Sequence, residues 1–353
     1  MDYTLEPNVT VTDYNYLSAF PSPCDGELIQ RDSKLLLAVL YCLLFVLGLL
    51  GNSLVILVLV AYKKLRSITD IYLLNLALSD LLFVFSFPFQ THYQLDQWVF
   101  GSGMCKVVSG LYYIGFFSSM FFITLMSMDR YLAVVHPVYA IRVRTVKMGT
   151  ALSLMAWLIS ILATSPLVVF YQVASEDGVL QCYSFYSLQT LKWKIFTHFE
   201  MNILGLLIPF SILLFCYVSI LLQLRSCQNH KTKAIKLVLI VVSASLLFWV
   251  PFNVVLFLTS LHDMHVLDGC TMNQRLIYAT HITETISFTH CCVNPVIYAF
   301  MGEKFKKHLA GIFQKSCSHV FLCIGRQMPQ NVWERSLSSH QRSSHSSSMD
   351  YVL

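Results

Sequence analysis

Seven long stretches that are almost free of charge dominate this sequence and constrain its fold. Five contain no charged residue, and the other two contain one acid each, Asp80 and Glu284. The stretches are residues 35–62, 71–95, 107–128, 148–175, 201–224, 237–262 and 276–302. Each exceeds the roughly 20 residues that a helix needs to cross a bilayer, where backbone groups must be paired internally. The sequence therefore predicts an all-α membrane protein with a seven-transmembrane helix bundle.

The distribution of charge predicts how the bundle is oriented. Only 12% of residues are charged and the mean hydropathy is +0.62, whereas soluble domains carry roughly 25% charged residues. The first 34 residues have a net charge of −4, and the first, third and fifth connections carry +2, +3 and +4. The even connections carry 0, −1 and −1. Because Lys and Arg are retained on the cytoplasmic side, we expect the N-terminus outside and the C-terminus inside.

The pattern divides the chain into four parts and shows no internal repeat. They are an acidic outer arm (1–34), the bundle (35–302), a short amphipathic eighth helix on the membrane surface (303–315) and a disordered cytoplasmic tail (316–353). The eighth helix is predicted because Phe305, Leu309 and Ile312 share one face beside three lysines, which suits the membrane interface.

The arm and the tail carry candidate modification sites. Asn8 begins an N-glycosylation sequon. Two arm tyrosines each follow an Asp and a third lies close by; all three are candidates for sulfation, although a merely solvated acidic arm is the alternative. These residues are Asp2, Tyr3, Asp13, Tyr14 and Tyr16. Cys317 and Cys323 are candidates for palmitoylation, and the tail serines for phosphorylation, with a plain disordered tail as the alternative.

Cysteines on the predicted outer face suggest two disulfide bonds. Four of the chain's eleven cysteines lie there, and four allow three pairings. Cys105 begins the third span and Cys182 lies in the second outer loop, so we expect these two to pair. Cys24 would then join Cys270, tying the arm to the last outer loop.

Asp80 and Glu284 are the acids inside the predicted spans, where ionised groups are costly and mark candidate functional sites. Asp80 has polar neighbours at similar depth, namely Asn52, Ser119, His290 and Asn294. This set indicates a site for a small cation such as sodium, or for water; a carboxylate satisfied by structural hydrogen bonds is the alternative.

Glu284 lies about two turns below the outer end of the seventh span. It is a candidate counter-charge for a cationic ligand group, or else it pairs with Lys194 or His281. Tyr41, Tyr93, Tyr112 and Tyr113 fall at similar depth, although tyrosines are common at membrane interfaces.

Prolines and an acid–base couple mark candidate moving parts. Pro88, Pro209, Pro251 and Pro295 each remove one helical hydrogen bond. Trp249 lies two residues before Pro251, and Asn294 directly before Pro295. At the cytoplasmic mouth, "SMDRYLAVVHP" places Asp129, Arg130 and Tyr131 after a long apolar stretch. We expect Arg130 to pair with Asp129 while the helices are closed; a snorkelling arginine is the alternative.

Taken in order, these motifs resemble the rhodopsin-like G-protein-coupled receptors. They are "GNSLV", "LNLALSD", Cys105 with Cys182, "DRY", Trp157, "FWVP" and "NPVIY". "DRYLAVVHP", "FWVPFN" and "TETISFTHCCVNPVIYAF" further resemble CC chemokine receptors. The resemblance implies a plasma-membrane receptor for CC chemokines that acts through Gi-type G proteins, calcium release and chemotaxis, with capture by receptor kinases and arrestin. A non-signalling scavenger is the alternative.

The resemblance also implies roles for particular residues. The expected ligand pocket contains Glu284, Tyr41, Tyr93, Tyr112, Tyr113, Gln90 and Lys194. On activation, Arg130 is expected to leave Asp129 and approach Tyr217 and Tyr298. The chain is not expected to be an enzyme or to bind nucleic acid.

Three residues depart from the family's pattern, namely Gln90, Ser245 and Pro137. Gln90 should make a small subpocket more polar, and Ser245 replaces an aromatic one turn before Trp249. Two rival classes are disfavoured: residues 276–302 hold no lysine for a retinal Schiff base, and no repeat suggests a transporter.

Overall fold

The computed structural model describes residues 31–63, 65, 67–176, 178–186, 190–226, 232–267 and 269–301. The helices are α1 (Arg31–Leu57), α2 (Ile68–Val84), α3 (Phe87–Leu95), α4 (Gly101–Val135), α5 (Pro137–Val143), α6 (Val146–Val169), α7 (Leu191–Asn202), α8 (Ile208–Ser226), α9 (Thr232–Asp263), α10 (Cys270–Phe288) and α11 (His290–Met301). The strands are β1 (Tyr171–Glu176) and β2 (Val179–Ser184), and two π-helical segments cover Val58–Lys63 and Ile203–Leu207.

The predicted seven-helix bundle is confirmed. In chain order the spans are α1, α2 with α3, α4, α6, α7 with α8, α9, and α10 with α11. Within the described residues, six helical segments are long and apolar enough to cross a membrane. The seventh span is divided at Thr289, between α10 and α11.

The fourth apolar stretch is shorter as a helix than residues 148–175 suggested. α6 ends at Val169, and Tyr171–Glu176 forms β1, which pairs antiparallel with β2 and places Val173 opposite Cys182. Gly178 takes a φ of +79° in the tight turn between the strands, a conformation that favours glycine. Hydropathy alone does not show where an apolar helix ends and an adjoining apolar strand begins.

The predicted bond between Cys105 and Cys182 is present and ties the hairpin to the first turn of α4. Trp98 is held against the same hairpin, because its backbone N–H donates to Leu180 O at 2.8 Å. Cys24 and the side chain of Cys270 lie outside the described residues, so their pairing remains a prediction.

The fifth span begins earlier than its charge-free stretch. Residues 201–224 contain no charge, yet α7 starts at Leu191 and includes Lys192, Lys194 and Glu200. The side chains of Lys194 and Glu200 are partly buried, and Lys194 Nζ lies 2.8 Å from Asp263 Oδ1. Counting charges missed residues 191–200 because a paired charge can be accommodated within a helix bundle.

The prolines of the second, fifth and sixth spans affect their helices in different ways. Near Pro88 the second span breaks between α2 and α3, and Ser86 Oγ donates to Phe83 O at 2.7 Å. Pro209 is the second residue of α8, which begins where the π-helical segment ends. Pro251 lies inside α9 without interrupting the helix, so its missing N–H weakens one turn of an otherwise continuous element.

Aromatic side chains fill the centre of the bundle. Phe83, Phe116 and Trp249 are fully buried. The ring of Trp249 lies 4.4 Å from that of Phe116 and 6.1 Å from that of Phe83. This packing joins the second, third and sixth spans between the outer and inner polar groups.

Several predicted features lie outside the described residues and remain predictions. They are the arm with Asp2, Tyr3, Asn8, Asp13, Tyr14 and Tyr16, the eighth helix, and the tail with Cys317 and Cys323. The side chain of Tyr298 is likewise outside them, although α11 includes its backbone.

Candidate functional site

Polar and aromatic groups form three levels along the bundle. The outer level is built on Glu284 from α10, Tyr41 from α1 and Tyr112 with Tyr113 from α4. The Glu284 carboxyl interacts electrostatically with the hydroxyls of all three tyrosines. The structure therefore brings together residues from three helices, α1, α4 and α10, that lie far apart in the sequence.

The walls of this outer level are aromatic. The ring of Tyr112 lies 4.8 Å from that of Tyr113 and 5.7 Å from that of Phe288. Tyr41 lies 5.5 Å from Phe288. The hydroxyl of Tyr112 is buried and has no hydrogen-bond partner among the described residues, so a polar group of a ligand that reached it would satisfy it.

Tyr171 belongs to the same level and was not predicted. Its hydroxyl lies 3.0 Å from that of Tyr113 and it interacts electrostatically with Glu284. Burial raises the pKa of Tyr171 above its ordinary value, so its hydroxyl stays neutral near pH 7. Sequence analysis missed Tyr171 because it assigned residues 148–175 to the fourth span and did not recognise β1, the strand that brings Tyr171 next to Tyr113 of α4.

The other predicted pocket residues occupy different surroundings. Tyr93 packs against Trp98, with ring centroids 5.9 Å apart, in a cluster that includes the disulfide. Gln90 lies on α3 and is partly exposed. Lys194 pairs with Asp263. Asp263, rather than Glu284, is therefore the ion-pair partner of Lys194.

The middle level surrounds Asp80, which is fully buried. Asn294 Nδ2 donates to Asp80 Oδ2 at 2.9 Å, and His290 Nε2 lies 3.6 Å from Asp80 Oδ1. Asn52 Nδ2 donates instead to the carbonyls of Gly48 and Cys291, at 3.0 and 2.9 Å. Two of the four predicted neighbours, Asn294 and His290, therefore lie next to Asp80, whereas Asn52 binds other groups.

Unpaired atoms at this level indicate what it can hold. His290 Nδ1 lies 2.8 Å from Ser287 O, and since a carbonyl only accepts, Nδ1 carries the proton and neutral Nε2 has a lone pair. Asp80 Oδ1 and Ser119 Oγ are also buried without hydrogen-bond partners among the described residues. One unpaired carboxylate oxygen and one unpaired hydroxyl oxygen at this level are the type of ligand that a small, hard cation prefers.

The inner level differs from the predicted Asp129–Arg130 pair. Arg144 donates from Nε to Asp129 Oδ1 at 2.6 Å and from Nη2 to Asp129 Oδ2 at 3.0 Å. Arg130 Nη2 lies 3.7 Å from Asp129 Oδ2 and donates instead to Thr69 Oγ1. Thr69 Oγ1 in turn donates to Asp129 Oδ2 at 3.1 Å. The expected pair is present, but the closer partner of Asp129 is Arg144.

Two other residues that were predicted to take part in the activation switch, Tyr217 and Tyr131, also make polar contacts close to Arg130. Tyr217 OH lies 3.2 Å from Ser127 Oγ, three residues before Arg130. Tyr131 OH lies 3.1 Å from His136 Nε2. One nitrogen of Arg130, Nε, is buried and has no partner in the described part of the chain. Arg130 therefore retains a donor for a new acceptor.

Ring contacts connect the outer and middle levels. Trp249 touches Phe116 and lies 4.9 Å from His290, which adjoins Asp80. Phe83 lies 4.9 Å from Tyr112 and 5.2 Å from His290. Ser245, one turn inward from Trp249, is buried. A change at the outer level can thus reach the middle level through contacting rings.

Known families and proteins match this chain closely. The family described as "7 transmembrane receptor (rhodopsin family)" matches residues 51–298. Proteins named C-C chemokine receptor type 8 from Macaca mulatta and Homo sapiens are 77% and 76% identical to it, over the full length of both chains. Human C-C chemokine receptor type 4 is 49% identical over 91% of this chain and 89% of that protein.

Proposed function

Because this chain belongs to the rhodopsin family of seven-transmembrane receptors, and within it to the CC chemokine receptors, we propose that it binds CC chemokines and signals through Gi-type G proteins. It is a multi-pass membrane receptor and not an enzyme. The observation that carries the proposal is the full-length identity of 76–77% to chemokine receptors. Calcium release and chemotaxis are the cellular responses expected to follow.

The outer level supports a cationic ligand group. Glu284 interacts electrostatically with tyrosine hydroxyls, and Lys194, one of the cations predicted to neutralise it, is paired with Asp263. A carboxylate in such a setting favours a positive partner. The N-terminus of a chemokine carries an α-ammonium group, which would contact Glu284, Tyr41 and Tyr112.

The acidic arm supplies a first contact. Residues 1–34 carry a net charge of −4, and chemokines are mostly basic. Opposite charge raises the rate of encounter more than the final affinity. Sulfation of Tyr3, Tyr14 or Tyr16 would add negative charge, and the arm would hold the chemokine body while its N-terminus enters the bundle.

Activation changes the inner half of the bundle. The ligand favours the arrangement to which it binds more tightly. In that arrangement the sixth span is displaced inside Pro251, and Arg130 leaves Asp129 and Thr69 for Tyr217 and Tyr298. The cleft that opens receives the G protein on the cytoplasmic side, so the C-terminus is cytoplasmic and the arm extracellular.

Asp80 and Ser119 would hold a sodium ion in the closed arrangement. Their unpaired oxygens, together with Asn294, supply the type of ligand that a hard cation prefers. The ion would stabilise the arrangement in which these oxygens converge. His290 contributes a lone pair beside the same carboxylate.

Other partners act on the cytoplasmic side. Phosphorylation of the tail serines would create a dense negative strip for a basic partner such as arrestin. The 303–315 helix and palmitoylated Cys317 and Cys323 would hold this side to lipid.

Nucleotide exchange tests the proposal. The chain is placed in lipid nanodiscs with purified Gi, and a panel of CC chemokines is added while GTP uptake is followed. We expect at least one chemokine to bind and accelerate exchange. Binding without exchange would support the scavenger alternative, against which the intact Asp129-Arg130-Tyr131 argues, and absence of binding across the panel would contradict the ligand class.

A further inference from the structure

Two polar pairs join the outer ends of the fifth and sixth spans on successive turns. Lys194 Nζ of α7 lies 2.8 Å from Asp263 Oδ1, at the last residue of α9. One turn further into the membrane, His198 Nδ1 lies 3.4 Å from Ser260 Oγ. The two helices are therefore bridged by an ion pair and, beneath it, by a polar contact.

The same bridge is connected to the outer loop. Thr197 is fully buried, and its Oγ1 donates to Lys194 O at 2.9 Å. Tyr186 OH lies 3.3 Å from Thr197 Oγ1. Tyr186 follows β2, which the disulfide ties to α4. The start of α7 is thus held from two sides.

The two members of the ion pair differ in burial. The side chain of Asp263 is 12% exposed and that of Lys194 is 29% exposed. Asp263 Oδ2 is buried and has no hydrogen-bond partner among the described residues. A lysine that loses its partner can extend towards water, whereas the carboxylate cannot, so the carboxylate depends on the lysine more than the reverse.

We propose that the Lys194–Asp263 pair is the outer anchor of the sixth span. Asp263 lies 12 residues beyond Pro251, or about 18 Å along a helix. The pair holds this outer half of α9 against α7. The displacement of α9 on activation is therefore confined to its inner half, between Thr232 and Pro251. Lys194 is then a positioning residue rather than a ligand contact, and this role rests on the proposed function.

A double-mutant cycle of thermal stability tests the pair without ligand or G protein. Lys194→Met leaves a buried, unpaired carboxylate and should lower the melting temperature most. Asp263→Asn and the double variant should lower it less, and the exchanged pair Lys194→Asp with Asp263→Lys should recover most of the loss. Lys192→Met, an exposed lysine on the same helix, is the control and should leave it unchanged.

Signalling supplies the second measurement, with the most effective chemokine of the panel as the probe. Lys194→Met should reduce the maximal rate of nucleotide exchange by roughly tenfold, because breaking a partly buried ion pair costs more than breaking an exposed pair and less than breaking a fully buried one. The chemokine Kd should stay within about threefold. The variant with the two charges swapped should restore the maximal rate of nucleotide exchange, because an anchor does not depend on which helix carries the positive charge.

Two results would overturn the anchor. One is an unchanged melting temperature and full exchange in both single variants. The other is a large loss of chemokine affinity in Lys194→Met that the exchanged pair does not restore, which would make Lys194 a ligand contact. If the unmodified chain answered no chemokine, the proposed function would fail, and the stability cycle would still decide whether the pair holds the helices.

Discussion

Arg144 binds both carboxylate oxygens of Asp129, whereas Arg130, the adjacent residue, lies 3.7 Å away and donates to Thr69. Arg144 follows α5, the short helix that brings the third connection back towards the end of α4. The side chain of Asp129 is only 2% exposed. The polar contacts at the end of α4 therefore form a network of four side chains rather than a pair of adjacent residues.

We predict that Arg144→Gln raises basal nucleotide exchange. Losing the two charge-assisted bonds removes about 1.5–3 kcal/mol of support from the closed network, which corresponds to roughly a tenfold or greater shift in population. Exchange on Gi without chemokine is the measurement. Arg142→Gln is the matched control, because Arg142 is exposed and belongs to the same connection; equal basal rates in both variants would contradict the prediction.

Sequence reasoning succeeded where the membrane topology and the depth of a residue in its span determine the contact. Hydropathy located seven spans because a membrane demands long apolar helices, and the position of Asp80 identified Asn294 and His290 as neighbours because depth in a span follows from residue count. The Cys105–Cys182 bond followed from topology in the same way.

Sequence reasoning failed where a contact depends on how a connection folds. Nothing near Arg144 indicates that it reaches Asp129, 15 residues earlier. Likewise Lys194 and Asp263 are separated by 69 residues, and the hairpin that brings Tyr171 over Tyr113 looked like the end of a helix. These pairings are set by tertiary packing, which hydrophobic periodicity does not encode.

Glu284→Gln should lower chemokine potency and maximal exchange, since it removes the charge that interacts with Tyr41, Tyr112 and Tyr113. We expect at least a tenfold loss of potency, the size of about 1.4 kcal/mol. Dose–response curves of exchange provide the measurement. Glu200→Gln, an acid of the fifth span with no assigned ligand role, is the control; an unmodified response of Glu284→Gln to every agonist would refute the proposed route from outside to inside.

Gly205→Ala should destabilise the receptor and impair its response. A Cβ at residue 205 would overlap Phe116 Cζ and lie 2.6 Å from Cε1, and Phe116 contacts Trp249. Overpacking costs about 1–3 kcal/mol, and an overlap this close with a rigid ring belongs at the upper end of that range, above the roughly 1 kcal/mol that alanine gains over glycine in a helix. The melting temperature in detergent should therefore fall.

Gly103→Ala is the matched control for that variant. Gly103 lies in α4, and a Cβ there meets no atom within 4 Å. Helix propensity then acts alone, so the melting temperature should be unchanged or slightly higher. If both alanine variants behaved alike, close packing of Gly205 on Phe116 would not constrain the bundle.

Asp80→Asn should abolish the response of the receptor to sodium. In the unmodified chain, the sodium ion proposed at Asp80 and Ser119 would stabilise the closed arrangement, so raising NaCl should increase the melting temperature and weaken agonist binding. Replacing NaCl by choline chloride at equal ionic strength separates ion binding from screening. The amide of the variant lacks the negative charge, and both effects should disappear. Ser119→Ala removes one unpaired oxygen and keeps the carboxylate, so it should weaken the sodium effect without eliminating it. Sodium dependence that persisted in full in Asp80→Asn would place the ion elsewhere, and the unpaired oxygens around Asp80 would then be satisfied by water.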